Sequence, residues 1–292
     1  MTSYLFNKVA LIGVGLINSS LARALKEKKI VKEIIATSRT LKTRKEVENL
    51  GIVDKVTSSA IEAVKDADII IVGIPVAAYL GVIEELKNVF KEGAIVTDVG
   101  SVKGSVVKEI SSLLPAHVHF VPGHPIAGTE YSGPSAGFSE LFKGHWCVLT
   151  PDDNTDQNSI NKVRDMWIAV GMKVDIMSPD HHDSVLAITS HIPHLIAFSI
   201  VGTVTNMEED LKIEVIKYAA GGFRDFTRIA ASDPIMWRDI FLSNKGAVLE
   251  MLSQFGKDLD NVKFAIQEED SKTLEKLFTK TRMIRRDIVG KE

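Results

Sequence analysis

The sequence predicts an α/β protein in which a doubly wound, parallel-sheet domain is followed by an all-helical domain. Three observations predict it. Short, fully apolar strand candidates alternate with helical patterns through the first half, a glycine-rich turn joins the first strand to the first helix, and beyond Pro179 strand signals give way to apolar residues at helical spacing. Fully apolar strands separated by helices belong to parallel sheets covered on both faces, which is the doubly wound plan.

In chain order, Val9–Ile12 is the first strand and Ser19–Lys29 the first helix. Glu33–Thr37 is a strand and Arg44–Leu50 a helix; a helix ending near Lys65 leads into the strand Ala67–Val72. Ala78–Val89 reads as a helix, Ile95–Asp98 as a strand, Gly104–Leu113 as a helix and Val118–Val121 as a strand. Past His145 one more unit follows: strand Trp146–Leu149, helix Ser159–Ala169, strand Lys173–Met177. In the second half Val185–Val204 is one long apolar run interrupted by Pro193, followed by helices over Lys212–Tyr218, Asp233–Gln254, Leu259–Gln267 and Ser271–Val289. The boundary is expected between residues 177 and 178, giving domains 1–177 and 178–292. The first long helix of the second domain is strongly apolar, so a homodimer that covers it is preferred over a monomeric bundle.

The chain has 292 residues, which suits two domains of about 100–200 residues each. Hydrophobic residues make up 45% and charged residues 25%, a globular composition that excludes disordered, collagen-like and coiled-coil classes. With 35 Lys+Arg against 38 Asp+Glu, a nucleic-acid-binding surface is not expected. The lone cysteine, Cys147, excludes an intrachain disulfide and a cysteine-rich metal site, and fits a reducing compartment. No apolar run reaches the roughly 18 residues that span a bilayer. Lys8 and the apolar run Val9–Leu16 imitate a signal peptide, but Gly13 and Gly15 interrupt the run and no small-residue cleavage site follows, so this is a buried first strand. A cytoplasmic protein without membrane partners is expected.

Gly13-Val14-Gly15-Leu16-Ile17-Asn18 carries two of the three glycines of the dinucleotide fingerprint. The first permits a tight turn and the second lets a pyrophosphate approach the backbone, while the helix N-terminus offers free N–H groups to the phosphates. Asn18 stands where the third glycine is usual. The first domain is therefore expected to be a Rossmann-type dinucleotide-binding domain, with Gly13, Gly15, Leu16 and Ile17 at the cofactor and Pro75, past the third strand, beside them. The second strand ends in Thr37-Ser38-Arg39-Thr40, without the carboxylate that binds a ribose 2′-hydroxyl and repels a 2′-phosphate. Ser38, Arg39 and Thr40 are the candidate contacts, and NADP is expected to serve at least as well as NAD; the alternative is a solvated basic helix start that accepts either.

Four further segments carry unusual residue choices: Asp98-Val99-Gly100-Ser101-Val102-Lys103, Gly123-His124-Pro125-Ile126-Ala127-Gly128-Thr129-Glu130, Ser190-His191-Ile192-Pro193-His194, and Gly221-Gly222-Phe223-Arg224-Asp225-Phe226-Thr227-Arg228, continuing to Asp233-Pro234-Ile235-Met236-Trp237-Arg238-Asp239. The first two follow strands, where the ligand crevice of an open α/β sheet lies. Together, from Gly13 to Arg238, they closely resemble the prephenate dehydrogenases, which include arogenate and cyclohexadienyl dehydrogenases. The resemblance implies a dinucleotide-binding domain joined to a helical dimerisation domain, and oxidative decarboxylation of a cyclohexadienol to a phenol in tyrosine synthesis, without a metal.

It also implies roles. His124 is the base that takes the ring hydroxyl proton, for which a neutral imidazole is suited. Ser101 hydrogen-bonds the hydroxyl and the base, or else caps the helix starting at Gly104; Lys103 beside it reads as solvated. Arg228 binds a substrate carboxylate, oriented or gated by Asp225, with Arg224 and Arg238 as competitors. His194 contacts substrate, supported by His191 on the same helix face. Thr129 contacts substrate, Glu130 belongs to an ion network at the mouth, and Trp237 lines the pocket or the core. In His181-His182-Asp183 the histidines read as structural, with Asp180 or Asp183 as a helix cap. Two rival readings remain: another two-domain hydroxyacid or imine dehydrogenase, and a non-catalytic nucleotide-sensing protein.

Overall fold

The computed structural model describes residues 4–207, 209–219 and 221–289. The chain forms two compact units, Met1–Lys245 and Gly246–Glu292.

In the first unit, β1 (Phe6–Ile12), α1 (Leu16–Lys28), β2 (Val31–Thr37), α2 (Leu41–Leu50), β3 (Lys55–Thr57), α3 (Ala60–Val64), β4 (Ile69–Val72), α4 (Tyr79–Leu86), β5 (Ile95–Asp98), α5 (Gly104–Ile110) and β6 (His119–Phe120) alternate; of these, the short edge strand β3 was not expected from the sequence. All six strands pair in parallel, in the order β3-β2-β1-β4-β5-β6. The order reverses between β1 and β4, which opens a crevice at their carboxyl ends. Alternate strand residues enter opposite cores. Val9, Leu11, Ile69 and Ile71 pack on one side with Leu21, Leu25 and Trp167. Ala10, Ile12, Ile70 and Val72 pack on the other with Tyr79, Ile83 and Val106. Two-sided burial explains the uninterrupted apolar strands, each buried aliphatic side chain contributing about 1.5–3 kcal/mol.

The unit past His145 does not extend this sheet. β7 (Gly123–Ile126), β8 (Trp146–Leu149), α6 (Gln157–Ala169) and β9 (Lys173–Ile176) build a separate three-stranded sheet, β7-β8-β9, whose first pair is antiparallel. The sequence reading placed Gly123–Glu130 only as a segment that follows a strand; its first four residues are themselves a strand. Pro125 is accommodated because β7 is an edge strand, where a missing N–H costs little.

Beyond Ile176 every described element is helical: α7 (Pro179–Leu186), a π-helical turn (Ala187–His191), α8 (Ile192–Thr205), α9 (Glu209–Tyr218), α10 (Gly221–Thr227), a 3-10 turn (Arg228–Ala231) and α11 (Pro234–Ser243). Pro193 does not break the run Pro179–Thr205. The π-helical turn just before it absorbs the missing N–H and the ring's clash with the preceding turn. By length and composition this continuous helix could cross a membrane, with 28% of its apolar window buried. The sequence criterion, an uninterrupted apolar run of about 18 residues, is still unmet here, because isolated polar residues break a strict run but not an average over the window.

The expected helix Asp233–Gln254 ends at Ser243 instead, and Asn244 separates it from α12 (Lys245–Gln267), which absorbs the expected helix from Leu259. Gly256 is tolerated inside α12, as a helical glycine costs only about 1 kcal/mol. In the second unit α12 continues from Gly246, and α13 (Ser271–Val289) is capped by Asp270, which accepts from Thr273 N.

Candidate active site

The crevice begins at the glycine turn. Gly13 has φ +82°, and a Cβ there would lie 2.5 Å from Ile74 Cγ2 and 2.6 Å from the Gly73 carbonyl, so only glycine fits. A Cβ on Gly15 would meet nothing within 4 Å. The turn thus leaves open space before the first N–H groups of α1, where Leu16 and Ile17 are half-buried and no acidic residue stands in the first turn. Free N–H donors, a positive dipole end and room suit a pyrophosphate. Asn18 is buried at 1% exposure, and its amide donates to Gly13 O at 2.8 Å and Ile71 O at 3.3 Å. Gly73 makes room for it, since a Cβ there would approach Asn18 Nδ2 to 2.4 Å. The missing third glycine is therefore replaced by a side chain that laces the ends of β1 and β4.

At the end of β2, Ser38 is half-buried while Arg39 and Thr40 are exposed. The Thr40 hydroxyl caps α2 by accepting from Thr43 N. Arg44 donates to the carbonyls of Ser38 and Arg39 at 2.7 and 2.9 Å, so it builds the loop that presents Arg39. Pro75 is exposed at the start of a 3-10 turn.

Behind the crevice, β7 presents His124, which is 8% exposed. Its Nδ1 lies 2.8 Å from Nε2 of His182, whose Nδ1 lies 2.8 Å from Asp183 Oδ1. Asp183 also accepts the backbone N–H groups of Lys103 and Gly104, both at 2.8 Å. Burial pushes the pKa of His124 well below the usual histidine range, reinforced by His182, Lys103 and His191. Burial likewise lowers His182, against the pull of Asp183. For Asp183 burial acts upward, but hydrogen bonds from His182, Lys103 N and Gly104 N outweigh it and hold the carboxylate below its ordinary value.

His182, read as structural, is fully buried against the expected base. Two other expectations are corrected. Asp183 caps α5 from across the fold rather than its own helix, which Ser178 caps by accepting from His181 N. Lys103 is fully buried, not solvated, in an ion pair with Asp98. Ser101 is half-buried in this loop and does not cap α5.

The other end of the site carries arginines and histidines. Arg228 pairs with Glu130 at 3.1 Å. Asp225, expected to orient it, makes no ion pair with it among the described residues; both residues are exposed. His194 stacks on Trp237 with ring centroids 3.6 Å apart and planes 22° apart. Burial lowers its pKa, and Arg228 adds to that. His191 meets the edge of Trp237 at 6.0 Å, and its Nδ1 lies 3.1 Å from the Asn244 amide, which also donates to Asp183 O at 2.9 Å. Arg238 pairs with its neighbour Asp239, Arg224 is exposed, and Thr129 is exposed with its hydroxyl accepting from Tyr131 N at 3.3 Å.

A contiguous path therefore runs from His194 through Trp237, His191, Asn244, Asp183 and His182 to His124. The sequence reading missed Lys103, His182, Asp183 and Asn244 as members of this network. Two adjacent titratable residues at the mouth of an apolar helix were a signal for His182 and Asp183; Asn244 carried none.

The arrangement has counterparts in known proteins. Residues 21–176 match the family model for the nucleotide-binding domain of prephenate dehydrogenase, and residues 178–280 match the model for its dimerization domain. The chain is 41% identical over 282 residues to the cyclohexadienyl dehydrogenase of Zymomonas mobilis, covering 96% of this chain and 95% of that protein. It is 36% identical over 271 residues to the prephenate dehydrogenase of Bacillus subtilis, covering 92% of this chain and 73% of that protein. The crystal structure of prephenate dehydrogenase from A. aeolicus, in complex with hydroxyphenyl propionate and NAD+, superposes with a TM-score of 0.90 at 36% identity, covering 97% of this chain and 98% of that one. Fold and sequence agree across nearly the whole length: this chain belongs to the prephenate dehydrogenase family.

Proposed function

We propose that this protein oxidatively decarboxylates prephenate, arogenate or both, with hydride transfer to a nicotinamide dinucleotide, giving 4-hydroxyphenylpyruvate or tyrosine. The observation that carries the reading is a buried histidine, His124, kept neutral by burial and wired to His182 and Asp183 beside the carboxyl ends of the sheet.

Gly13, Gly15 and the first N–H groups of α1, at Leu16 and Ile17, would hold the pyrophosphate, with Pro75 beside them. When bound, the nicotinamide supplies the hydride acceptor. His124 takes the proton of the ring hydroxyl while Ser101, in the adjoining loop, donates a hydrogen bond to the same oxygen. Loss of carbon dioxide then makes the ring aromatic, which drives the step. Arg228 engages a substrate carboxylate through its two parallel N–H donors, exchanging Glu130 for it, and His194 on Trp237 forms the adjacent wall. His191 supports that wall, while Thr129 and Asp225 flank the entrance.

NADP is proposed to serve at least as well as NAD, because the loop after β2 holds Ser38, Arg39 and Thr40 and no carboxylate. Residues 1–177 are proposed as the dinucleotide-binding domain and 178–292 as the helical substrate and dimerisation domain. A homodimer is supported by exposed Ile188 and Ile200 on the long apolar helix Pro179–Thr205, which a second copy would cover. An enzyme drawing on the cell's nicotinamide pool suits the cytoplasm.

The test is a two-by-two assay of prephenate and arogenate with NAD and NADP, following absorbance of the reduced nicotinamide. Turnover with at least one pair is expected; none with any pair refutes the proposed activity.

A further inference from the structure

We propose that Asp183 and His182 fix the tautomer of His124, leaving its Nε2 as the lone pair that accepts the substrate proton. The proposal deepens the reading of His124 as the base and rests on it; His182 and Asp183 act as positioning residues through His124.

The argument is a proton count along one hydrogen-bonded line. An ionised carboxylate only accepts. Asp183 is held ionised by three donors, His182 Nδ1 and the N–H groups of Lys103 and Gly104. The bond to Asp183 therefore fixes the proton of His182 on Nδ1. A neutral imidazole carries one N–H, so His182 Nε2 is a lone pair. That lone pair lies 2.8 Å from His124 Nδ1 and requires a proton there. His124 is then left with an unprotonated Nε2. In the reaction the ring O–H bond breaks, its electron pair forms the carbonyl as hydride leaves the carbon, and the proton ends on Nε2.

Charge supports the same device. Asp98 and Lys103 neutralise each other at 1% and 0% side-chain exposure, so the charge of Asp183 is the surplus. An imidazolium forming at His124 offsets it, with His182 carrying the interaction. Asp183 also ties this line to the loop bearing Ser101, so one carboxylate orients the base and anchors the loop of the neighbouring hydroxyl donor.

Three variants and one spectrum test the proposal in the full-length enzyme. His182→Leu removes the acceptor for His124 Nδ1 and should lower kcat by about 10²–10⁴-fold, the range of a lost or mis-set general base, with substrate KM and NAD affinity within about threefold. His182→Gln offers an amide oxygen to His124 and an amide N–H to Asp183, and should restore kcat to within about tenfold of the parent. Long-range nitrogen–proton spectra of histidine-labelled enzyme at neutral pH should show His124 protonated on Nδ1; a proton on Nε2 overturns the proposal without reference to activity. His124→Asn separates the two levels. If it retains turnover, His124 is not the base, although the spectrum still reads its tautomer. If it is inactive while His182→Leu keeps normal kcat, the base stands and the positioning line falls. Equal loss of kcat in His182→Gln and His182→Leu also overturns it, because a packing role does not distinguish hydrogen-bonding polarity.

Discussion

The buried ion pair of Lys103 and Asp98 clamps the residue just before His124. Lys103 Nζ donates to the Gly123 carbonyl at 2.9 Å, and Asp98 Oδ1 accepts the Gly123 N–H at 3.1 Å. Both backbone polar groups of that residue are held by opposite charges that are themselves paired. The backbone entering the proposed base, His124, is thus fixed by electrostatics as well as by sheet pairing.

Removing one member of this pair should unfold the protein easily. Lys103→Met leaves Asp98 charged and buried and should cost about 3–5 kcal/mol in urea unfolding. The double variant Lys103→Met, Asp98→Leu should cost less than the two single changes summed. Additive losses would show that the two side chains are not energetically coupled.

Arg228→Ala should act on substrate binding. Losing a charge-assisted hydrogen bond of about 1.5–3 kcal/mol predicts a rise in substrate KM of about 10–100-fold with much less change in kcat. An unchanged KM would remove Arg228 from the carboxylate site. The Arg228 side chain is 59% exposed, so Glu130→Gln should change stability by less than about 1 kcal/mol.

Arg39 should discriminate between cofactors. Arg39→Glu places a carboxylate beside the expected 2′-phosphate and should lower kcat/KM with NADP by at least about tenfold, with NAD changed by less than about threefold. Parallel losses with both cofactors would mean that Arg39 does not read the 2′ position.

Acid should silence the enzyme at a lower pH than an exposed histidine would set. His124 must be neutral to take a proton, and burial holds its pKa well below the usual value. Its kcat/KM should therefore hold through about pH 6.5, the ordinary histidine pKa, and fall at lower pH. A midpoint at or above that value contradicts the buried, neutral base.

Stability should fall on the same side. Burial pushes His191 down to about 4. Between the unfolded value of about 6.5 and this folded value, the unfolded chain binds the proton and the fold does not, so stability decreases as pH falls through that window, by at most on the order of 3 kcal/mol. Urea midpoints measured from neutral to acid pH check this; a flat profile would show that His191 is not buried neutral.

Much of this was legible before any fold was known. Two-sided apolar strands, the turn at Gly13 and Gly15, and the segments around Ser101, His124, His194 and Arg228 are local patterns, and local patterns are written in consecutive residues. Lys103 misled because a lysine after a glycine-serine turn is ordinarily solvated; its burial depends on the turn folding it back onto Asp98 and on Gly123 arriving from β7. Asp225 misled because its spacing from Arg228 suggested a pair, whereas Glu130, 98 residues away, is the partner found.

Periodicity and the glycine turn were enough to specify the α/β class and most of the succession of elements, and the chemistry was implied by the resemblance of four motifs to a family, since each of these depends on residues a few positions apart. Which side chain carries the proton network was set by folding alone. His124, His182 and Lys103 come from separate segments, and their pairing follows from burial: once they are taken out of water, every charge and N–H among them must find a partner, and those available are the ones that packing brings within bonding distance.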